Sequence, residues 1–345
     1  MIDEIHRQAT EPLKLMEVCG THTVSIARYG LRKVLPKTIE LISGPGCPVC
    51  VTGNSDLDKA IAMASIPDAL VATFGDMLRV PGSYSTLAHE KAGGRDVRVV
   101  YSPLDGLKIA AENLRRKVIF LGVGFETTAP TVAATVQEAK KCGIKNFWIF
   151  SAHKTVPLAL KTLLDTGEGK LNGFLLPGHV SAIIGSRPYE FLAKEYGLAC
   201  AISGFEPLDI LLSILMLVRQ VQNREPGVEI QYRRGVNPKG NTKALQIMEE
   251  VFEPTDVEWR GLGIIKKTGL TLRPEWAEFD ACRKFDLSVP PARENPFCRC
   301  GDILRGTIRP QQCPLFAEGC SPQNPVGPCM VSSEGSCAAA YKYDS

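Results

Sequence analysis

Six of the twelve cysteines of this 345-residue chain lie close to its carboxyl terminus, and they constrain its fold more than any other feature. Their spacing is Cys298-x-Cys300-x12-Cys313-x6-Cys320-x8-Cys329-x7-Cys337. The segment is rich in Pro and Gly and has no long apolar run, so it cannot bury much surface by itself. Disulfides, zinc or an iron–sulfur cluster could order it, and the rest of the chain has to decide among them.

The overall composition predicts a cytoplasmic protein without membrane or nucleic-acid contacts. The amino terminus has no apolar signal region, and the most apolar stretch, Ile210–Val218, is much shorter than the roughly 20 residues of a spanning helix. The formal net charge is +3 with no block of Lys or Arg, which gives no reason to expect nucleic acid. A reducing compartment disfavours static disulfides and favours metal or redox thiols in the tail.

Short apolar segments alternate with amphipathic helical patterns over the first two-thirds of the chain. This alternation predicts an α/β fold with two doubly wound parallel-sheet domains, followed by a small C-terminal domain that carries the cysteines. We expect domains at residues 1–115, 116–225 and 226–345. The predicted strands are Leu13–Val18, Ile39–Ser43, Ala69–Phe74, Val97–Tyr101, Val118–Gly122, Phe147–Ser151, Gly173–Leu176 and Ala199–Ser203.

Chemically active residues follow several of these strands, at the ends where open α/β sheets bind ligands. Cys19 and His22 follow the first strand, on a turn that contains a glycine. One soft thiolate and one imidazole suit a transition metal of intermediate softness. The alternative is a buried structural cysteine beside an exposed histidine, and the position at a strand end favours the metal.

Cys47 and Cys50 form a C-x-x-C motif after the second strand. At the start of a helix such a motif predicts a lowered thiol pKa and a redox dithiol. The alternative is half of a zinc site. The Gly-Pro-Gly sequence before Cys47 indicates a tight exposed turn and favours the redox pair.

Two further polar residues, Glu126 and His179, follow predicted strands and could act as acid/base or positioning groups facing the same cleft. Helix capping and loop structure are the alternative roles. Asp76 and Arg79, after the third strand, are expected to pair with each other. We interpret the remaining cysteines as packing thiols; they are Cys142, Cys200 and Cys282.

The motifs of common enzymes are missing from the sequence. There is no phosphate-binding Gly-x4-Gly-Lys-Ser/Thr loop, no complete dinucleotide fingerprint and no Gly-x-Ser-x-Gly nucleophile elbow. An ordinary nucleotide-dependent enzyme or hydrolase is therefore disfavoured.

A series of long motifs resembles one family, the HypD maturation factors of [NiFe]-hydrogenases. The resemblance runs in order through nearly the whole chain and comprises CGTHT, GPGCPVC, FGDMLRVPGS, GFETTAP, PGHVSAIIG, GFEPLDIL, CRCGDILRG and GPCMVSSEGSCAAAY. It implies a scaffold on which, together with the small chaperone HypC, the Fe(CN)2CO group is built. It also implies that HypE donates the cyanide, that Cys19 helps to hold the iron, and that Cys47 and Cys50 are a redox-active pair nearby.

The same resemblance implies a [4Fe–4S] cluster in the C-terminal domain. By similarity to ferredoxin:thioredoxin reductase, Cys300 and Cys329 are implied to be an exchangeable pair, and four cysteines are implied to be cluster ligands: Cys298, Cys313, Cys320 and Cys337. The protein is then a redox-active assembly scaffold rather than a conventional turnover enzyme. Two rivals remain: a stand-alone iron–sulfur thiol–disulfide oxidoreductase, and a zinc-stabilised binding module.

Overall fold

The computed structural model describes residues 1–167 and 170–344, and its framework is two parallel β-sheets and one antiparallel hairpin. The strands are β1 (Leu13–Glu17), β2 (Ile39–Ser43), β3 (Ala69–Thr73), β4 (Val97–Val99), β5 (Lys117–Gly122), β6 (Phe147–Ser151), β7 (Gly173–Pro177), β8 (Ala199–Ser203), β9 (Val228–Ile230), β10 (Phe252–Trp259) and β11 (Gly263–Leu272).

Helices connect and cover these strands. They are α1 (Ile2–Gln8), α2 (Gly20–Arg28), α3 (Leu31–Val34), α4 (Pro48–Val51), α5 (Asn54–Ala62), α6 (Leu87–Ala92), α7 (Pro103–Glu112), α8 (Ala129–Lys141), α9 (Val156–Asp165), α10 (Gly178–Ile184), α11 (Glu190–Tyr196), α12 (Pro207–Asn223), α13 (Thr242–Val251), α14 (Ala281–Lys284), α15 (Cys300–Leu304), α16 (Pro328–Val331) and α17 (Ser336–Tyr343). Short 3-10 helices lie at Met63–Ser65, Gly75–Arg79, Arg187–Tyr189, Pro274–Phe279 and Pro310–Gln312.

The predicted fold class is confirmed, and all eight predicted strands are present with ends that differ by two residues at most. The first sheet has the order β2-β1-β7-β8-β9 and the second sheet has the order β4-β3-β5-β6, with every pair parallel. The antiparallel hairpin extends over Phe252–Leu272. No described helix is both long and apolar enough to span a bilayer.

The chain path differs from the expected sequence of contiguous domains. It forms two strands of the first sheet, leaves to build the whole second sheet, and returns with β7 to complete the first. A boundary at residue 115/116 would therefore cut the second sheet, because β3 and β4 precede it while β5 and β6 follow it. The joining contact is parallel pairing between β1 and β7, with Leu15 opposite Gly173.

Burial on both faces explains why the strands are nearly continuous apolar runs. Every residue of β3, β7 and β8 is buried, as expected for parallel strands covered by helices on both sides. Helix starts are fixed locally in several places; Ser102 and Asp105, for example, form a reciprocal capping box at α7.

The carboxyl-terminal segment packs back onto the two sheets. Its α17 lies against α2 of the first sheet, and α16 lies against α4, which contains Cys50. Cys300, Cys320, Cys329 and Cys337 are buried and belong to the same hydrophobic cluster as residues from both sheets. The cysteine segment is thus ordered by contact with the rest of the chain, which supplies the core that it lacks.

Candidate functional site

A cleft of about 750 Å³ lies between the two sheets, at the carboxyl ends of their strands. Loops after six strands line it, so the predicted convergence of strand ends is present in the structure. One lining residue from each loop is Cys19 after β1, Gly46 after β2, Asp76 after β3, Val100 after β4, Phe125 after β5 and His179 after β7; the tail adds Glu334. The lining is mostly apolar, which suits a site that excludes water around a reactive centre.

Cys19 lies at the floor of this cleft as the N-cap residue of α2. The loop after β2 presses against it, because a Cβ on Gly46 would fall 2.2 Å from the Cys19 amide nitrogen. The Gly20 amide donates to the Gly46 carbonyl over 2.9 Å and locks the two loops together. Burial, with the Glu334 carboxylate nearby, raises the pKa of the Cys19 thiol to about 12, so the free thiol is protonated at neutral pH.

Glu17 is a buried carboxyl group that sequence reasoning did not identify. Its Oε2 accepts a hydrogen bond from the Cys19 amide at 3.3 Å, and its Oε1 accepts one from the Thr23 hydroxyl at 2.6 Å. Burial raises its pKa to about 7. The available signal was a Glu directly after the apolar pair Leu15–Met16 at the end of a strand. Through its hydrogen bond to the Cys19 amide, Glu17 fixes the backbone at Cys19.

His22 is fully buried and is not among the residues that line the cleft. Its Nε2–H donates to the Gly204 carbonyl over 2.9 Å, while its Nδ1 has no hydrogen-bond partner within the described residues. Its ring stacks on Phe205, whose ring also stacks on His179 with centroids 3.8 Å apart. Burial lowers the pKa of His22 to about 4, so its ring is neutral at pH 7, and through Phe205 it supports the part of the cleft wall that carries His179.

Cys47 and Cys50 form the turn that begins α4. Cys47 is the N-cap residue, and its Sγ accepts a hydrogen bond from the Cys50 amide at 3.2 Å. Burial raises the pKa of Cys47 well above its usual value, so the expected lowering does not hold for this member of the pair. For Cys50 burial also opposes ionisation, but hydrogen bonds from the thiols of Cys329 and Cys47 outweigh it and bring the pKa to about 5.

A buried arginine adds positive charge near Cys50. Arg260 lies in the turn of the β10–β11 hairpin, and its amide donates to the Val51 carbonyl over 2.8 Å. Its guanidinium group binds Glu294 at 2.6 Å and also Asn54. The Arg260 charge contributes to the lowered pKa of Cys50, and nothing in the local sequence near Cys50 indicated this contact.

The six cysteines of the tail line one small cavity, together with Ile303, Leu315, Phe316 and Met330. The Cys329 thiol is central, because it lies in hydrogen-bonding contact with the thiols of Cys300, Cys337 and Cys50. Cys298 and Cys313 are the more exposed members of the six. Cys329 therefore connects the tail cavity to the C-x-x-C turn.

The tail cavity has the donor chemistry of an iron–sulfur site. Within the described residues, no three His, Cys, Asp or Glu side chains are arranged so that they could hold one metal ion as they stand. The donor set nevertheless fits a cluster, since six thiols and apolar side chains enclose one cavity and a four-iron cluster needs four thiolates. The contact between Cys300 and Cys329 is consistent with these two being the exchangeable pair.

The turn between Cys329 and Cys337 reaches into the cleft and contacts both halves of the molecule. Glu334 accepts a hydrogen bond from the Thr21 hydroxyl over 2.7 Å, on the side of the first sheet. On the side of the second sheet, Asp76 accepts hydrogen bonds from Ser332 and Ser333. Sequence reasoning did not select Glu334, although it lies within one of the quoted motifs.

The expected pairing of Asp76 with Arg79 does not occur. Arg79 instead donates to the Pro322 carbonyl over 3.1 Å, while Asp76 binds the turn after α16. Both residues therefore contact the cysteine tail. The docked tail offers Asp76 and Arg79 hydroxyl, amide and carbonyl groups as hydrogen-bond partners, so the two side chains bind the tail instead of each other.

Glu126 lies between Phe125 and Thr127, which both line the cleft. It is buried and not among the lining residues, and its Oε1 accepts a hydrogen bond from the Val156 amide at the start of α9. Burial raises its pKa to about 7. The geometry matches the capping alternative rather than an acid/base group facing the cleft.

The remaining cysteines divide by exposure. Cys200 is a buried packing thiol in β8, as expected. Cys142 and Cys282 are exposed and do not pack in the core, which corrects the interpretation of both as packing thiols. Cys142 follows the last residue of α8, and Cys282 lies in the four-residue α14. At these positions apolar neighbours in the sequence do not imply that the cysteine itself is buried.

Comparison with known proteins gives one consistent match. The HypD family model, described as the hydrogenase formation hypA family, matches residues 1–344. A hydrogenase maturation factor HypD from Escherichia coli (strain K12) is 47% identical over 336 residues, which cover 97% of this chain and 90% of the relative. One from Rhodobacter capsulatus is 44% identical over 348 residues, covering 99% and 92%. A putative hydrogenase expression/formation protein from Methanocaldococcus jannaschii is 43% identical over 344 residues, covering 99% and 96%.

Proposed function

The chain belongs to the HypD family of hydrogenase maturation factors, and we propose that it is the scaffold on which Fe(CN)2CO is assembled for [NiFe]-hydrogenases. In this proposal the small chaperone HypC and the Fe(CN)2CO group both bind in the cleft, and HypE supplies the cyanide. The observation that carries the proposal is the position of Cys19, a single thiol at the floor of a mostly apolar cleft between two sheets.

Cys19 is the residue that binds the cargo iron in this proposal. A soft thiolate suits low-spin iron that carries cyanide and carbon monoxide. Because burial raises the pKa of this thiol to about 12, iron must displace its proton, and loading is favoured by high pH. Glu17, through the Cys19 amide, holds the sulfur at the cleft floor.

His22 and His179 act in different ways. His179 lines the cleft, half-buried, where it can contact the cargo or the partner chaperone. His22 supports it from behind through the ring of Phe205 and fixes the loop after β8 through Gly204. Glu126 supports the site indirectly by holding the start of α9.

Thiol–disulfide exchange links the C-x-x-C turn to the tail. In the reducing direction, the Cys329 sulfur attacks Cys50 of a Cys47–Cys50 disulfide, and its proton passes to the departing Cys47 sulfur. The Cys300 sulfur then attacks Cys329, forming a Cys300–Cys329 disulfide. Cys50 leaves as a thiolate, which its low pKa favours, and the Cys300 proton is released. Electrons and atoms balance without an external reductant.

Cys298, Cys313, Cys320 and Cys337 are the thiols that would hold a [4Fe–4S] cluster beside this pair. When bound, such a cluster supplies one-electron redox chemistry. The chain's own contribution is to enclose the sulfurs in apolar side chains and to place Cys329 between the cavity and Cys50. The electrons would support attachment or reduction of the diatomic ligands.

A stand-alone thiol–disulfide oxidoreductase is the second candidate, and the contact between Cys50 and Cys329 favours it specifically. That activity needs the tail and the C-x-x-C turn but has no use for Cys19. Reduction of a generic disulfide by the purified protein without any partner, and unchanged by Cys19→Ala, would favour it.

Anaerobic co-purification with HypC tests the scaffold directly. We expect a stable complex with about four irons for the tail cluster, additional iron as cargo, and no zinc. Zinc in place of iron would identify a zinc-stabilised binding module instead. Iron without a complex with HypC would contradict the scaffold and leave the oxidoreductase.

A further inference from the structure

We propose that Asp76 is a positioning residue for thiol exchange, because it binds the Ser332–Ser333 turn and thereby holds the Cys329 thiol against Cys50. The proposal deepens the thiol route described above and rests on it. Asp76 itself makes no bond to a sulfur atom among the described contacts, and its charge opposes ionisation of Cys50. Any favourable effect of Asp76 on exchange would therefore act through the tail.

The bonds of Asp76 converge on one oxygen. Its Oδ2 accepts from the Ser332 hydroxyl at 3.1 Å, from the Ser333 amide at 3.2 Å and from the Ser333 hydroxyl at 3.4 Å. Hydrogen bonds to a charged acceptor are stronger than those between neutral groups. Three of them on one short turn make Asp76 the main polar anchor that the second sheet offers to this part of the tail.

The anchored turn is continuous with Cys329. Cys329 is the second residue of α16, and the Ser332 amide donates to the Pro328 carbonyl over 3.0 Å at the end of that helix. The turn then folds back on Cys329, since a Cβ on Gly335 would fall 2.1 Å from the Cys329 carbonyl oxygen. A displacement of the turn must therefore displace Cys329.

On the opposite side, α16 lies against the C-x-x-C turn. The Cys50 Sγ is 4.0 Å from the Pro328 carbonyl oxygen, and the Cys50 and Cys329 thiols are in hydrogen-bonding contact. Exchange between two thiols requires in-line approach of one sulfur to another, so small displacements of α16 change the rate strongly. The anchor at Asp76 is thus placed where it controls this approach.

Arg79 provides a second anchor from the same short helix. It binds the Pro322 carbonyl, which lies between Cys320 and Cys329, while Asp76 binds the turn between Cys329 and Cys337. The segment Gly75–Arg79 therefore holds the tail on both sides of Cys329. A purely local structural role would not require contacts on both sides of one thiol.

The test uses the full-length protein carrying Cys300→Ser, so that the Cys300 sulfur cannot attack Cys329 and resolve the Cys50–Cys329 disulfide. This parent protein, and each further variant made in it, is purified anaerobically and treated with one equivalent of diamide, an azo oxidant that takes two electrons and two protons from two thiols. After alkylation of the remaining thiols, peptide mass spectrometry gives the ratio of the Cys50–Cys329 disulfide to the Cys47–Cys50 disulfide. Both members of the second disulfide lie on the same turn, so it serves as an internal standard.

We expect both disulfides in the Cys300→Ser parent and at least a tenfold lower ratio when Asp76→Ala is added. Asp76→Asn keeps a carbonyl acceptor and should recover part of the ratio, and Ser333→Ala, a milder change, should lower it in the same direction. The matched control is Asp96→Ala, which removes a well-bonded aspartate at the opposite end of the second sheet and should leave the ratio unchanged.

An unchanged ratio in Asp76→Ala and Ser333→Ala would overturn the positioning role. An equal fall in Asp96→Ala would also overturn it, because the effect would then be a general loss of stability. A Cys300→Ser parent without any Cys50–Cys329 disulfide would refute the thiol route and this proposal with it. Iron binding at Cys19 does not depend on the ratio and has its own test.

Discussion

The low pKa of Cys50 can be tested by removing one thiol, with Cys329→Ala as the perturbation. In the wild type the pKa is about 5, because contacts with Cys329 and Cys47 outweigh burial. At pH 7 that leaves about 1% of Cys50 protonated, whereas an ordinary thiol with a pKa of about 8.5 is only about 3% thiolate. The Cys50 thiolate population at pH 7 is therefore roughly thirtyfold above that of an ordinary cysteine.

The Cys329→Ala variant lacks the hydrogen bond from Cys329 that stabilises the Cys50 thiolate, while burial still destabilises it. The pKa of Cys50 must therefore rise. We expect a rise of at least one pH unit, which lowers the thiolate population at pH 5 by about fivefold or more. The assay is the rate of Cys50 alkylation by iodoacetamide between pH 4 and pH 10, resolved by peptide mass spectrometry. Because Cys50 is buried, iodoacetamide reaches it slowly, but this restriction lowers the alkylation rate by the same factor at every pH. The midpoint of the rate against pH therefore reports the pKa of Cys50.

The same profile contains its own control. Cys142 is exposed and far from the tail in sequence, so its midpoint should be the same in the wild type and in Cys329→Ala. A wild-type Cys50 midpoint near 8.5, or one that Cys329→Ala leaves in place, would refute the link between the two thiols.

Three further predictions concern other positions. Burial raises the pKa of Glu126 to about 7, so the stability that its protonated form contributes is fully present below pH 4 and is lost as pH rises towards 7. In Glu126→Gln, the free energy of unfolding in urea should therefore fall less between pH 5 and pH 8 than it does in the wild type. Cys142→Ser and Cys282→Ser should change the free energy of unfolding by no more than about 0.5 kcal/mol, since both are exposed, and a larger loss would contradict their placement. Gly46→Ala should abolish iron loading at Cys19, because its Cβ would meet the Cys19 backbone, and normal iron content in that variant would refute the close approach.

The strands could be predicted from the sequence because burial on both faces gives each one a local apolar signature. Their pairing could not. The choice of β7 as the neighbour of β1 joins residues that are distant in the chain, and no local pattern reports it. Contiguous domains were therefore the natural expectation, and the interleaved sheets were the finding.

The candidate site shows the same division between local and long-range information. Loops at strand ends placed Cys19 and His179 correctly in one cleft, since parallel strands of a sheet share their carboxyl edge. The orientation of His22 depends on Phe205, more than 180 residues further along, and was not accessible. Cysteine spacing likewise gave no indication that Cys329 touches Cys50.

Charged residues were the hardest to interpret without the structure. Asp76 and Arg79 are near neighbours in sequence and of opposite charge, so pairing was the simplest expectation. Their actual partners are groups of the tail, because that segment arrives with many unsatisfied backbone and hydroxyl groups. Docking of a segment without its own core is a tertiary event that propensities do not describe.

Infrared spectroscopy of the anaerobically purified complex with HypC tests the central claim most directly. We expect the wild type to show the stretching bands of iron-bound cyanide and carbon monoxide. Cys19→Ala should remove all of them, while Cys142→Ala, which removes an exposed thiol that does not line the cleft, should retain them. Full bands in Cys19→Ala, with the complex intact, would show that the cargo iron is not bound by Cys19 and would contradict the scaffold as described.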